Sequence, residues 1–179
     1  MALEKIVSGG QTGVDRAALD AALAANFPCG GWAPRDRMAE DGIIPERYPL
    51  IPLPNGGYRQ RTRLNVSDSD GTAILYNESL KGGTRLTRNL CALLKRPYVL
   101  IDARETQDPV GAAKAVLKFV EENDIGTLNV AGPRASGWSA GYRFARDVVS
   151  QVISSLASGL PQGEPHAGER PDRTSGPAR

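Results

Sequence analysis

One histidine and two cysteines in 179 residues exclude more chemistry than any single motif adds. The histidine, His166, stands in a stretch crowded with proline and glycine. The part expected to fold therefore offers no imidazole as general base, proton shuttle or metal ligand. Ser-His-Asp and Cys-His triads and zincin-like sites go with it. Cys29 and Cys91 are too few and too scattered for a structural zinc site or a disulfide framework, and read as reduced, buried thiols. Charge of one sign is lacking too. A net charge of +2 gives no chain-wide field to concentrate nucleic acid, and no nucleic-acid partner is expected. No run reaches the roughly 18 apolar residues of a membrane helix, and the opening Met-Ala-Leu-Glu-Lys-Ile-Val-Ser has no secretory pattern. The expectation is a cytoplasmic protein with no membrane partner and no metal site of its own. Backbone amides, hydroxyls, carboxylates and arginines are left to do its chemistry.

The length suits one domain, and 40% hydrophobic with 23% charged residues is ordinary globular composition. From about Ala157 to Arg179 proline and glycine recur every few residues, and Leu160 is the last large aliphatic. That stretch cannot bury enough apolar surface to offset its ordering entropy. A flexible tail, 157–179, is expected to follow a ligand-binding domain, 1–156. Within the domain strand-like and helical runs alternate. Lys5 to Ser8 is a short apolar strand, followed by a helix with Val14, Ala17, Ala18, Ala21, Ala22 and Ala25 on one face. Phe27 to Trp32 reads as a second strand, Tyr58 to Asn65 as a helix, and Thr72 to Tyr76 as an unbroken apolar strand. Thr84 is placed to cap the next helix, which carries Leu86, Leu90, Leu93 and Leu94. Pro97 to Ile101 and Thr127 to Ala131 are further strands, each followed or preceded by an amphipathic helix. Such alternation predicts an α/β fold: a Rossmann-like, doubly wound, mostly parallel sheet of about five or more strands, with helices on both faces.

In open α/β sheets ligands sit beyond the carboxyl ends of the strands. Three glycine-bearing turns fall there: Gly9-Gly10-Gln11-Thr12-Gly13, Gly82-Gly83-Thr84 and Gly132-Pro133-Arg134. Glycine lets backbone approach a ligand closely, and helix N-termini offer unpaired amides with partial positive charge. Phosphate suits such a corner. The first turn lacks the Gly-Lys-Ser/Thr ending of a P-loop and the Gly-x-Gly-x-x-Gly spacing of a dinucleotide fold. Triphosphate hydrolysis of the P-loop type and ordinary NAD chemistry are therefore disfavoured.

From Ala33 to Gly57 no period is evident, and irregular stretches of that length are commonly functional. Arg35 or Arg37 would clamp a phosphate from it, with Trp32 or Tyr48 stacking on a flat ring; solvated surface and core packing are the plainer uses. Asp15 and Asp41 are polar candidates for a ring or sugar edge. Asp68 and Asp70 precede a strand, whereas a phosphotransferase nucleophile follows one, so a turn role is favoured over a metal or catalytic one.

Ser8-Gly9-Gly10-Gln11-Thr12-Gly13-Val14-Asp15-Arg16, Gly31-Trp32-Ala33-Pro34, Ala39-Glu40-Asp41-Gly42 and Tyr48-Pro49-Leu50 resemble blocks of the molybdenum carrier family (molybdenum cofactor carrier protein-like). The likeness continues through Arg61-Thr62, Asn65-Val66, Asp68 to Thr72, Gly82-Gly83-Thr84 and Asn129 to Arg134, and covers about Ile6 to Val152. It implies a Rossmann-like fold related to the cytokinin-activating phosphoribohydrolases ("lysine decarboxylase-like" proteins) and to DNA-processing proteins. It also implies binding of molybdenum cofactor, the phosphorylated pterin molybdopterin, by a homo-oligomer. On this resemblance Gly9 to Gly13 and Gly82 to Thr84 form a phosphate pocket, and Gly132-Pro133-Arg134 lines its far wall. The phosphoribohydrolases carry Pro-Gly-Gly-x-Gly-Thr-x-x-Glu, and Thr87 stands in the place of that glutamate. A hydroxyl cannot replace a carboxylate base, although Asp15 or Glu40 could substitute for it.

The reading that follows is a binding or carrier protein for a small phosphorylated heterocycle, molybdenum cofactor or a nucleotide, with no catalytic residue assigned. A nucleotide phosphoribohydrolase or related hydrolase, and a nucleotide-sensing module, are the alternatives.

Overall fold

The computed structural model describes residues 3–106 and 108–159. Among the described residues thirteen elements follow one another. They begin β1 (Lys5–Val7), α1 (Val14–Ala24), β2 (Cys29–Ala33), β3 (Met38–Ala39), β4 (Gly42–Ile43) and β5 (Leu50–Pro52). They continue α2 (Tyr58–Ser67), β6 (Gly71–Tyr76), α3 (Gly82–Leu93), β7 (Tyr98–Asp102), α4 (Pro109–Glu122), β8 (Thr127–Ala131) and α5 (Gly141–Gly159). Six strands form one sheet in the order β5-β2-β1-β8-β6-β7, with every pair parallel. The expected α/β architecture is the observed one. Helix α5 runs three residues into the stretch expected as a tail, and the remainder of that stretch lies outside the described residues.

The two faces of the sheet are unequally packed. On one, α1 packs on α5 and α5 on α4. Ala17, Ala18, Ala21 and Ala22, all fully or almost fully buried, let α1 approach closely, and Val148, Val149 and Val152 of α5 join the same core. On the other face α2 packs on α3 over a small core of Val66, Leu90 and Cys91, with Leu86 and Leu94 partly buried against it. Helix α2 buries Thr62 and Asn65 beside Val66, so its inward side is largely polar. A polar inner wall has to be satisfied by something other than apolar packing.

Three helices end alike. Asn26, Lys95 and Asp124 take positive φ just past α1, α3 and α4. The next amide reaches back in each case, Phe27 to Ala22, Arg96 to Cys91 and Ile125 to Val120, the bond of a Schellman stop. Each stop hands the chain to a strand within three residues, which keeps all the opposite, strand-to-helix turns on one rim. At the start of α4, Asp108 caps by accepting from the Val110 and Gly111 amides at 3.0 and 3.2 Å. Thr84 is not a cap: α3 begins two residues earlier, with Lys81 at the cap position and no side-chain bond there.

The irregular stretch contains structure after all. Between β2 and β5 a two-residue-per-strand hairpin pairs Met38 with Ile43 and Ala39 with Gly42, and Arg37 holds it in place. Its guanidinium donates to the carbonyls of Ile44, Leu50, Pro45 and Tyr48. No run of alternating apolar residues announces such a loop, since backbone carbonyls are its scaffold.

Candidate ligand-binding site

The turns after β1, β6 and β8 meet at the carboxyl rim of the sheet around a cavity of about 510 Å³. From the β1 turn it takes Gly9 and Gln11, with Asp15 behind them; from the β6 turn, Asn77 to Ser79 and Lys81 to Thr84; from the β8 turn, Gly132, Pro133, Arg134 and Gly137. Helix α2 closes the side with Tyr58, Arg61, Thr62 and Asn65.

Arg61 and Asp15 form the buried part of the wall. Nη1 lies 2.9 Å from Oδ2, and the two side chains are 11% and 6% exposed. Burial pushes the Asp15 carboxyl above its ordinary range, while Arg61 and the Gln11 and Gly132 amides pull the other way. The pair thus ties α1, α2 and both flanking turns together. Arg61 Nε is buried without a hydrogen-bond partner. Gly9 is glycine because of this arginine: a Cβ there would stand 1.5 Å from Nη1.

The start of α3 is the opposite case. Gly82 and Gly83 are exposed, and a Cβ at either would meet nothing within 4 Å. The Thr84 amide donates to the Lys81 carbonyl at 3.1 Å, but with no capping side chain the Gly82 and Gly83 amides have no intrahelical acceptor and stand at the positive end of the helix dipole beside an open cavity. Thr84 is buried to 4% exposure at the same place. Thr87 is used internally, donating to the Gly83 carbonyl at 3.0 Å.

Other candidate residues lie elsewhere. Gly10 and Gly13 have φ of +73° and +76°, and their missing side chains would strike Leu50 Cδ1 and the Pro133 carbonyl; they let the turn pack, and neither lines the cavity. Thr12 also lies outside the lining, bonded to Glu40. Arg35 is exposed away from it, and Arg37 is spent on the hairpin, so neither clamps this cavity. Asp41 pairs with Arg16 at 2.5 Å. Neither aromatic candidate reaches the cavity: Tyr48 is buried with its hydroxyl on Asp20, and Trp32 Nε1 donates to Asp68. Asp70 accepts from the Gly126 and Thr127 amides, so the Asp68–Asp70 segment ties loops together. Among the described residues no group of three or more His, Cys, Asp or Glu is placed to hold a metal.

The cavity residues not put forward as site residues from sequence include those of α2, Asn77 to Ser79 and Lys81 of the β6 turn, and Gly137, with Glu78 held at φ +76°. The available signal was α2 itself, a helix whose sequence Tyr-Arg-Gln-Arg-Thr-Arg-Leu-Asn-Val-Ser has too little apolar surface to cover a sheet.

Residues 6–153 match the circularly permutated YpsA SLOG family. A crystal structure from Syntrophus aciditrophicus SB, described as a "Putative molybdenum carrier protein", is similar at 41% identity and a TM-score of 0.81, over 85% of this chain and 96% of that one. No curated protein matches the chain. Among the described residues no helix is long and apolar enough to cross a membrane.

Proposed function

The chain belongs to the circularly permutated YpsA SLOG family, and from that membership and the cavity we propose a carrier protein that holds a small phosphorylated heterocycle. The uncapped start of α3, with Gly82 and Gly83 bare toward a cavity of about 510 Å³, is the observation that carries the reading. That volume lies within the ~300–1,000 Å³ of typical small-molecule sites. Phosphate would take the Gly82 and Gly83 amides and the Thr84 hydroxyl, with Lys81 and Arg134 supplying charge. Arg61, locked by Asp15, would present its remaining guanidinium edge to the ring or sugar. Tyr58 and Leu86 give that end an apolar surface.

Molybdenum cofactor is the favoured cargo, because the similar Syntrophus protein is described as a molybdenum carrier; a nucleotide is the alternative. The lining has no thiol or imidazole, so the hold would be on the phosphate and the pterin, the metal staying with its own sulfur ligands. Native mass spectrometry of freshly purified protein tests this: a phosphorylated pterin or nucleotide carried through purification is expected. Failure to bind any of a panel of phosphorylated pterins and nucleotides would overturn the carrier reading. Assembly into a homo-oligomer belongs to the same proposal and is tested by light scattering.

One observation favours a second, enzymatic reading. Asp15 and Glu40 are both committed to partners, but the exposed residue Glu78 lines the cavity. A nucleotide phosphoribohydrolase would release free base from nucleoside monophosphates, and chromatography would detect turnover that Glu78→Gln abolishes.

A further inference from the structure

Beside the cavity stands a second set of anion donors, already occupied by the chain itself. The Glu40 carboxylate, at the tip of the β3–β4 hairpin, takes the Thr12 hydroxyl and the Ser136 amide (3.1 Å) on one oxygen. Its other oxygen takes the Ser136 hydroxyl at 2.5 Å, with Arg134 Nε at 3.4 Å. We propose that Thr12, Ser136 and Arg134 form an oxyanion subsite, that Glu40 is its placeholder, and that a second anionic group on the ligand displaces Glu40 from it.

The donors are arranged independently of Glu40. The Ala135 amide donates to Thr12 Oγ1 at 3.1 Å, which leaves the hydroxyl proton free to point at an anion. The turn bearing Ser136 is closed on itself by the Gly137 and Trp138 amides, both donating to the Arg134 carbonyl. Two hydroxyls, an amide and a guanidinium on one group is a donor set that suits phosphate as well as carboxylate. Arg134 also lines the cavity, with its side chain 61% exposed, so the subsite opens onto the main site through this residue.

Only the Glu40 side chain has to leave: Arg37 anchors the hairpin backbone through four carbonyls, and the Glu40 amide donates to Gln11 Oε1 at 2.9 Å. Its hairpin has two residues per strand, and Met38 and Ile43 are 43% and 71% exposed. Beyond the subsite, its charged tie is Asp41 to Arg16. An incoming phosphate replaces the hydrogen bonds Glu40 gives up and carries more negative charge, but the tethered carboxylate competes at high effective concentration, so displacement takes an anionic group itself anchored at the main site rather than free phosphate. This subsite uses different amides from the start of α3, so it goes beyond the carrier reading.

Amide-resolved NMR with inorganic phosphate as the probe tests it in wild type, Glu40→Ala and Glu40→Gln. In Glu40→Ala the Ser136 amide resonance is expected to shift saturably with phosphate, whereas in wild type it stays in place over the same range. Glu40→Gln keeps an acceptor but no charge and is expected to shift at intermediate concentrations. Adding Arg134→Ala to Glu40→Ala should weaken the response. A Ser136 resonance that is unmoved in Glu40→Ala, or moves equally in wild type, overturns the proposal. Should Glu40→Ala lose its dispersed Ser136 and Gly137 signals, Glu40→Gln decides alone, and an unmoved resonance there overturns it. The Gly82 and Gly83 amides respond separately: their failure to move in wild type counts against the phosphate seat at α3 and does not alter what Ser136 shows.

Discussion

Arg61 and Asp15 carry the strongest single-residue consequence. Removing one charge from a buried pair leaves the other uncompensated, a loss of about 3–5 kcal/mol in well-buried cases. Asp15→Asn is therefore expected to lower unfolding free energy by about 3 kcal/mol in urea titration, since Arg61 keeps 11% exposure and some access to water. The glycines separate into two kinds by what a methyl group would meet. Gly10→Ala would strike Leu50 at a positive φ, so its failure would report on folding alone. Gly83→Ala meets nothing and sits inside the first turn of α3, where alanine is favoured over glycine by roughly 0.5–1 kcal/mol. The expected result is unchanged or higher stability with weaker phosphate binding, measured by thermal unfolding and calorimetry on the same samples; unimpaired binding would remove the α3 seat. Nothing in the sequence distinguishes Gly10 from Gly83, because the difference is made by Leu50 in one case and open space in the other.

Elements were legible where burial is apolar and local. The alanine face of α1, the run Thr72 to Tyr76 and the valines of α5 can be read directly, because one period and one hydrophobic surface specify each. The wall made by α2 could not be read as a site, since its polar inner face has a purpose only once a cavity faces it. The β3–β4 hairpin was also hidden: Arg37 organises it through carbonyls, and Glu40 finds Ser136 across 96 residues of sequence. Its attachment should depend on pH. Hydrogen bonds from Ser136, then Thr12, hold the Glu40 carboxyl below the ordinary 4.5. A depressed folded value means that the stabilising contact is complete above the ordinary value and lost as pH falls through the lower one. The Ser136 amide shift is accordingly expected to be flat from pH 7 to 5 and to titrate only below 4.5, with Glu40→Gln abolishing the transition. A titration above pH 5 would mean that these donors do not hold the carboxylate.

At the scale of the whole molecule, the two faces of the sheet divide labour. The α1, α4 and α5 side has the large core, while the α2 and α3 side rests on a small apolar cluster of Val66, Leu90 and Cys91 and borders the cavity. Thin packing places local opening at the low end of the stability range, where binding segments are commonly found. A ligand that bridges α2, α3 and the strand turns should therefore stabilise this layer most. Any ligand binding only the folded state adds about 2.7 kcal/mol at one hundred times its dissociation constant. For a domain of this size that corresponds to a rise in Tm of about 5 °C or more. The expected pattern is such a rise with the true cargo, together with slower amide exchange in α2 and the first turns of α3 and little change in α4. Equal protection of both faces would mean that the ligand acts on global unfolding only, and protection confined to the α1–α5 side would move the binding site away from this cavity altogether.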